Sequence, residues 1–250
     1  MNVIPINKDK VKATKEYMME ISNHFKDAGI NERKYIEFHK FRYVYLIHTI
    51  GNLVEEFNGT DDLKILDVGP AYQTSLIREY FPGAKVDTLG FSNHRNNLRK
   101  GEIHYQQDLN EINKHWEIEN KRYHIIVFCE IIEHLYTKPE LCLEKLTKSL
   151  LRNGRIIIQT PNAVALHKRA QLLFGSNPFS LLEESRTGHF REYTSKELKK
   201  ILDNVGLKTE LLEMKNYFNS NTSILNKLYV KLERIVPMQL RDGITIVGIK

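Results

Sequence analysis

The stretch VFCEIIEHLYTKPE, residues 127–140, begins as an apolar run and ends in Glu130, Glu133 and His134. Carboxylates and an imidazole placed where a buried strand runs out are groups that move protons or hold divalent ions. If the chain turns helical after Cys129, positions 130, 133 and 134 share one helical face. Two carboxylate oxygens and an imidazole nitrogen then suit Mg²⁺, Mn²⁺, Fe²⁺ or Zn²⁺. A fourth ligand is available in GHFREY, where His189 precedes a helix. Without a metal, His134 or His189 can serve as a general base while Glu133 ties down the loop. His167, in NAVALHKR, is a weaker candidate for either role. A second stretch of interest is DVGPAYQTS, in which Asp67 closes an apolar run and Gly69 permits a tight turn.

These residues need elements to position them. From residue 64 onward, apolar runs of strand length alternate with amphipathic segments: KILDV (64–68), KVDTL (85–89), EIHY (102–105), YHIIVF (123–128) and RIIIQT (155–160), with a helix over 138–151. After residue 190 come a helix capped by Thr194 or Ser195 and stopped by Gly206, a strand (LKTELLEM), a further helix and a last strand (GITIVGIK). Such alternation predicts βαβ units and an α/β fold, a doubly wound seven-stranded, mostly parallel sheet covered on both faces. Ligands then bind outside the carboxyl ends of the strands, where strand order reverses.

Residues 1–60 are expected to form a helical cap. A stripe of Val11, Thr14, Met18, Ile21 and Phe25 marks its first helix, and Asn31 caps its second. Residues 61–250 form the sheet domain, with an irregular lid at 162–190 whose Gly and Asn-Pro content breaks regular structure. A dinucleotide-binding loop would want glycine where Ala71 and Gln73 stand, which argues against NAD or FAD.

The segments ILDVGPAYQTSLIREYFPGAKVDTLGFS, HYQQDLNE, YHIIVFCEIIEHL, LLRNGRIIIQTPN and GHFREYTSKELKKILDNVGL follow one another over residues 62–214. Their order and spacing resemble class I S-adenosylmethionine-dependent methyltransferases, with a Rossmann-like fold. The resemblance implies that Asp67, Gly69, Pro70 and Ala71 form the first cofactor loop. Asp108, with Leu109, matches the acid that meets the adenine amino group, and Glu130 and Ile131 lie beside the methionine part. The acid that holds the ribose hydroxyls is replaced by Gly90, followed by Phe91, so Ser92 or Asn93 is left to bond the ribose. Asp87 lies three residues back along the strand, facing away. The pattern ExxEH followed by a distant His resembles metal-assisted O-methyltransferases, those of small-RNA 3′-ends and of ubiquinone biosynthesis. HFREYT resembles methyltransferases of glycan biosynthesis.

Those likenesses imply S-adenosylmethionine as cofactor, a divalent metal as a further option, and methyl transfer to a hydroxyl of a small molecule. A sugar or other vicinal diol, phosphorylated or lipid-linked, is the favoured acceptor. Two rivals stay open: RNA ribose methylation, and a non-catalytic binding protein on a degenerate methyltransferase fold. Residues 131–250 carry nineteen basic against twelve acidic side chains, which keeps anionic partners, nucleic acid included, in view. Lys168, Arg169, Arg186 and Arg191 around the lid are candidates for a phosphate. Lys227, Lys231 and Arg234 share a helical face, opposite Leu225, Leu228, Leu232 and Ile235, that would suit an acidic membrane surface. The chain opens without a signal-peptide core, has no run of membrane-spanning length, and places Cys129 and Cys142 at no metal-type spacing. The expected location is the cytoplasm, including the inner face of the membrane.

Overall fold

The structure, a computed structural model, describes residues 8–57, 62–91, 98–181, 188–218 and 235–250, with side chains from residue 16 onward. Seven strands form one sheet in the order β3-β2-β1-β4-β5-β7-β6. They are β1 Lys64–Val68, β2 Lys85–Gly90, β3 His104–Gln106, β4 Tyr123–Cys129, β5 Leu150–Pro161, β6 Lys208–Lys215 and β7 Gly243–Ile249. The first five run parallel, and β7 is antiparallel to both β5 and β6. Strand order reverses between β1 and β4, and the register keeps their ends level: Val68 pairs with Leu89 on one side and Phe128 on the other. The loops after β1, β2 and β4 therefore meet in one crevice.

The helices are α1 Lys8–His24, α2 Ile30–Glu56, α3 Tyr72–Tyr80, α4 Pro139–Lys148, α5 Leu166–Leu173 and α6 Ser195–Asn204. Strands buried on both faces read as continuous apolar runs, and alternate residues feed two separate cores. Leu66, Val68, Phe128 and Ile156 pack with Leu143 and Leu146 of α4 and Leu198 and Leu202 of α6. Ile65, Val127 and Ile157 pack on the other face with Leu76 and Ile77 of α3 and with Tyr43, Leu46 and Ile50 of α2. The cap thus shares a core with the sheet. Arg155 of β5 fastens its end, bonding Glu56 of α2 and Glu210 of β6.

Three expectations are corrected. The N-cap of α2 is Gly29, not Asn31, because Glu32 Oε2 folds back to accept the Gly29 N–H at 3.0 Å. The expected helix 138–151 ends at Lys148, and β5 already starts at Leu150, where Leu150 pairs with Tyr123. The lid is not wholly irregular, since α5 occupies its first half. Thr194 does cap α6, accepting from the Glu197 N–H, and Gly206 follows it at φ +75°. Asp87 faces away from the crevice, where it accepts from the Ile103 N–H and the Tyr123 hydroxyl. Ser92, Asn93, Arg186, Leu225, Lys227, Leu228, Lys231, Leu232 and Arg234 lie outside the described residues, as do the side chains of Val11 and Thr14.

Candidate active site

At the tip of β1 the chain turns at Gly69, whose φ is +67° and whose missing Cβ would sit 2.1 Å from Ile131 Cδ1. The positive φ calls for glycine, and any larger residue would also have to push the Ile131 side chain aside. Gly69 N–H donates to Leu89 O at 2.8 Å, which sews this loop to β2. Gly90, at the tip of β2, lies close under Pro70, so an added Cβ would be 3.1 Å from Pro70 Cδ. Phe91 follows and is 69% exposed. Ala71 is extended backbone, so no second glycine is needed there, and Gln73 Nε2 donates back to Gly69 O at 3.3 Å.

Asp67 is completely buried and braces the start of α3: Thr74 Oγ1 donates to its Oδ2 at 2.6 Å. Its other oxygen has no hydrogen-bond partner among the described residues. Burial lifts this carboxyl to about 7, against the opposing pull of the Thr74 bond. Asp108 follows β3 and accepts the Asn110 N–H at 2.8 Å on Oδ1, with the Tyr136 hydroxyl 3.5 Å from Oδ2. Leu109 turns into the core.

The chain after β4 departs from the expected helix. Glu130 N–H donates to Gln159 O at 2.8 Å and the residue then adopts φ 56°, a left-handed conformation unusual for glutamate. The chain is redirected, and a single 3₁₀ turn, Ile132–His134, replaces the helical face. Glu130 therefore does not share a helical face with Glu133 and His134, although its carboxyl stays within electrostatic reach of Glu133 and His189. Among the described residues, the group able to converge on a metal is Glu133, His134 and His189, with ligand atoms within 4.8 Å of one another. Glu130 is not in it. His167 stands on the exposed side of α5, outside the group.

Glu133 is fully buried and accepts from Thr160 Oγ1 at 2.8 Å, while its Oε1 has no hydrogen-bond partner among the described residues. Its carbonyl accepts the Phe190 N–H at 2.8 Å, which brings the 188–191 loop alongside. His134 Nδ1 donates to Gly188 O at 3.1 Å, and His189 Nδ1 donates to Glu192 Oε1 at 3.2 Å. The two imidazoles meet edge to face, centroids 4.8 Å apart. A neutral imidazole that donates from Nδ1 keeps Nε2 as a lone-pair acceptor. Burial, and then the neighbouring His189, hold His134 below its ordinary value. Burial raises both Glu130 and Glu133, and for Glu130 the charge of Glu133 adds to the rise.

Arg42 is a site residue that sequence reasoning missed. It lies on the buried side of α2 at 1% exposure, with Nη1 unpartnered among the described residues and Nε 3.4 Å from His39 Nδ1. Burial works against its charge, but Glu130 and Tyr43 outweigh that and hold it protonated. His39 is pushed down to about 3 by burial and by Arg42, so it stays neutral. The signal was available in FHKFRYVYLI, a cation inside an otherwise apolar helical stripe. Lys168, expected to meet a phosphate, instead points inward to Glu192, and Arg191 pairs with Glu197 at 2.7 Å. Arg169 donates to Val164 O at 2.9 Å. A groove of about 740 Å³ opens beside the loop, lined in part by Tyr136, Phe190, Arg191, Tyr193 and Lys200.

The sequence pattern of the methyltransferase domain family matches residues 34–212. No curated protein matches the chain by sequence. Among solved structures, the plantazolicin methyltransferase BpumL, in complex with a monoazolic desmethylPZN analog and SAH, aligns with TM-score 0.57 at 16% identity, covering 97% of this chain and 98% of that one. A SAM-dependent methyltransferase from Archaeoglobus fulgidus aligns with TM-score 0.54 at 15% identity, covering 86% and 99%. One from Mesorhizobium loti aligns with TM-score 0.51 at 13% identity, covering 76% and 92%. At such identities the structures speak for the fold alone. The family match spans more than half of the chain and includes the glycine turn at residue 69 and the strand tips around it, so the chain belongs to the methyltransferase domain family and is an S-adenosylmethionine-dependent methyltransferase.

Proposed function

We propose that this methyltransferase acts on a hydroxyl of a small molecule, with a sugar or other vicinal diol as the preferred acceptor. The observation that carries the reading is the paired histidines: His134 and His189 each commit Nδ1 to an oxygen and keep Nε2 free beside buried Glu133. An alcohol is a poor nucleophile until its proton is taken, whereas an amine only has to be neutral. A histidine held unprotonated by burial is suited to that task.

The residues at the strand tips fit the cofactor. Asp67, Gly69, Pro70 and Ala71 form a close-approach loop, with Gly90 and Phe91 beside it and Asp108 and Leu109 at the adenine end. Arg42 Nη1 and Glu130 Oε1, both unpartnered among the described residues, match the carboxylate and ammonium of a methionine group. Bound S-adenosylmethionine supplies an electrophilic methyl carbon on a sulfonium. The chain's own work is to align the acceptor oxygen with that carbon and to receive its proton at an imidazole Nε2.

A second reading is favoured by the convergence of Glu133, His134 and His189, which could hold a divalent ion. Their Nδ1 tethers are the kind that orient metal-bound histidines, and two imidazoles with one carboxylate suit Zn²⁺ or Fe²⁺ better than Mg²⁺. Such an ion would lower the acceptor hydroxyl's pKa and grip a neighbouring oxygen.

Acceptor recognition falls to the cap and lid, on the division of 1–60 as cap and 61–250 as transfer domain with the lid at 162–190. Tyr35 and Phe38 of α2 are 44% and 36% exposed, and Phe38 stacks on Phe218 at 5.7 Å, which suits a flat ring. Leu173 and Phe174 at the end of α5 are 82% and 83% exposed, a face for the apolar part of a lipid-linked acceptor at the cytoplasmic membrane surface. Among the described residues no helix is long and apolar enough to cross a membrane.

The test is calorimetric titration with S-adenosylmethionine and S-adenosylhomocysteine, followed by acceptor screening with and without chelator. One-to-one binding and transfer to a diol that survives chelation support the base mechanism. Loss on chelation supports the metal reading. Transfer to RNA with steep salt dependence, or to a peptide amine, would replace the acceptor assignment. No binding of either ligand would leave a non-catalytic protein.

A further inference from the structure

His189 does not stand alone on its loop. Glu192 lies three residues on, its side chain 6% exposed, between two partners: His189 Nδ1 on Oε1 at 3.2 Å, and Lys168 Nζ on Oε2. Lys168 comes from α5, the lid helix, twenty-four residues earlier in the chain. The two segments are brought together where Asn162 bridges Tyr193 and the Ala163 N–H donates to Tyr193 O at 3.1 Å.

The orientation of α5 is the unexpected part. Lys168 is 7% exposed, yet Leu172, Leu173 and Phe174 of the same segment are 53%, 82% and 83% exposed. A short helix that buries its lysine and presents its leucines is not oriented by the hydrophobic effect. The Lys168–Glu192 pair orients it instead. A buried carboxylate without a partner would be expensive, and the lysine removes that cost. Each Glu192 oxygen therefore has a partner of its own, His189 Nδ1 at Oε1 and Lys168 Nζ at Oε2, so the carboxylate is held in one orientation.

We propose that Glu192, clamped by Lys168 of the lid helix, is the positioning residue that fixes His189 as the Nδ1–H tautomer and so keeps its Nε2 lone pair for the acceptor chemistry. The inference rests on the functional reading above, and it serves either version of it. Base and metal ligand both need an unprotonated Nε2. It also makes α5 part of the working site: with the lid helix seated, Lys168 holds Glu192 in place and His189 is set.

The test needs no acceptor. Long-range ¹H–¹⁵N correlation spectra of ¹⁵N-histidine-labelled protein at pH 8 report the tautomer of each imidazole, and His189→Gln identifies the His189 signals. Wild type is expected to show His189 as Nδ1–H, and Glu192→Ala to shift it to Nε2–H or to a mixture. Glu192→Gln retains an oxygen of the same shape without the charge, and Lys168→Met removes the clamp. Both are expected to show the two tautomers together. S-adenosylhomocysteine affinity, by calorimetry, is expected to stay within about twofold in all three variants. An Nε2–H form in the wild type, or an unchanged Nδ1–H form in Glu192→Ala, overturns the proposal. Unchanged spectra in Glu192→Gln and Lys168→Met overturn the role of the lid helix, and these two variants decide the matter if Glu192→Ala does not fold. Absence of S-adenosylhomocysteine binding in the wild type would strike the methyltransferase reading and leave the tautomer result standing.

Discussion

At the amino-terminal side of β2, Arg78 and Glu102 are buried with side chains 7% and 2% exposed, and every charge there is answered. Glu102 accepts two bonds from Arg78 and one each from the backbone of Val86 and Arg99. At the opposite ends of the neighbouring strands, Asp67 and Glu133 are fully buried, Glu130 has a shielded Oε1, and each of the three has an oxygen without a hydrogen-bond partner among the described residues, as has Nη1 of Arg42 beside them. One sheet thus treats buried charge in two ways. Among the described residues, the buried carboxylate oxygens without a hydrogen-bond partner, on Asp67, Glu130 and Glu133, all lie at the crevice end of the sheet, whereas the Arg78–Glu102 pair at the other end is mutually bonded.

The sharpest way to break the contrast is to delete one partner on the satisfied side. Glu102→Ala strands Arg78 in the interior and is expected to cost about 3–5 kcal/mol of stability. For a chain of this length that lowers the melting temperature by roughly 10 °C, read by calorimetry. S-adenosylhomocysteine affinity of the folded protein should not change. Glu133→Gln, on the open side, removes a carboxyl whose burial outweighs the help it receives from Thr160 and Arg42, so its stability should hold or rise while transfer is lost. Equal destabilisation by both variants would show that the two regions do not differ in kind.

Asp67→Asn probes the open side quantitatively and comes next in size. The folded pKa is raised from 3.8 to about 7, so the folded state binds a proton that the unfolded chain has released. The stability linked to this group is fully present below the unfolded value and is lost as pH rises through about 7. Asparagine cannot titrate and still offers Thr74 an oxygen. The variant is expected to be more stable than wild type by about 2–4 kcal/mol at pH 8, with the gain vanishing below pH of about 4. Denaturant titrations at pH 4, 6 and 8 check the slope. Cofactor affinity should fall at the same time, because the oxygen freed for a ligand becomes an amide. A variant equally stable at all three values would mean that Asp67 is ionised without penalty.

Much of this was legible from residue order. Alternating apolar runs predict the parallel strands because strands buried on both faces have few other ways to look. Asp67, Gly69 and the Thr194 cap carry local signals, since a tight turn and an N-cap constrain single residues. The acceptor side carries fewer. Glu130 adopts its left-handed turn because its N–H is held by Gln159 O across β4 and β5, a constraint that no neighbouring residue announces. Arg42 reads as a solvated helix cation until α2 is packed over the strand tips. Lys168 and Glu192 meet only because the chain bridges at Asn162 and Tyr193. Local chemistry leaves marks in sequence, while pairings across a fold leave almost none.

The smallest effect tests whether the two regions can be separated within one loop. Thr194 caps α6 two residues after Glu192: its Oγ1 accepts the Glu197 N–H at 3.2 Å, and its own N–H donates to Glu197 Oε2 at 2.8 Å. Thr194→Ala removes the first of these bonds and is expected to cost about 1 kcal/mol. The loop carrying His189 has anchors of its own, the Phe190 N–H on Glu133 O and the Ala163 N–H on Tyr193 O. The variant should therefore melt a few degrees lower while the His189 tautomer and S-adenosylhomocysteine affinity remain those of wild type. If either moves with the cap, the setting of His189 depends on the helix that follows it as well as on Lys168 and Glu192. The boundary between scaffold and site would then have to be drawn beyond α6.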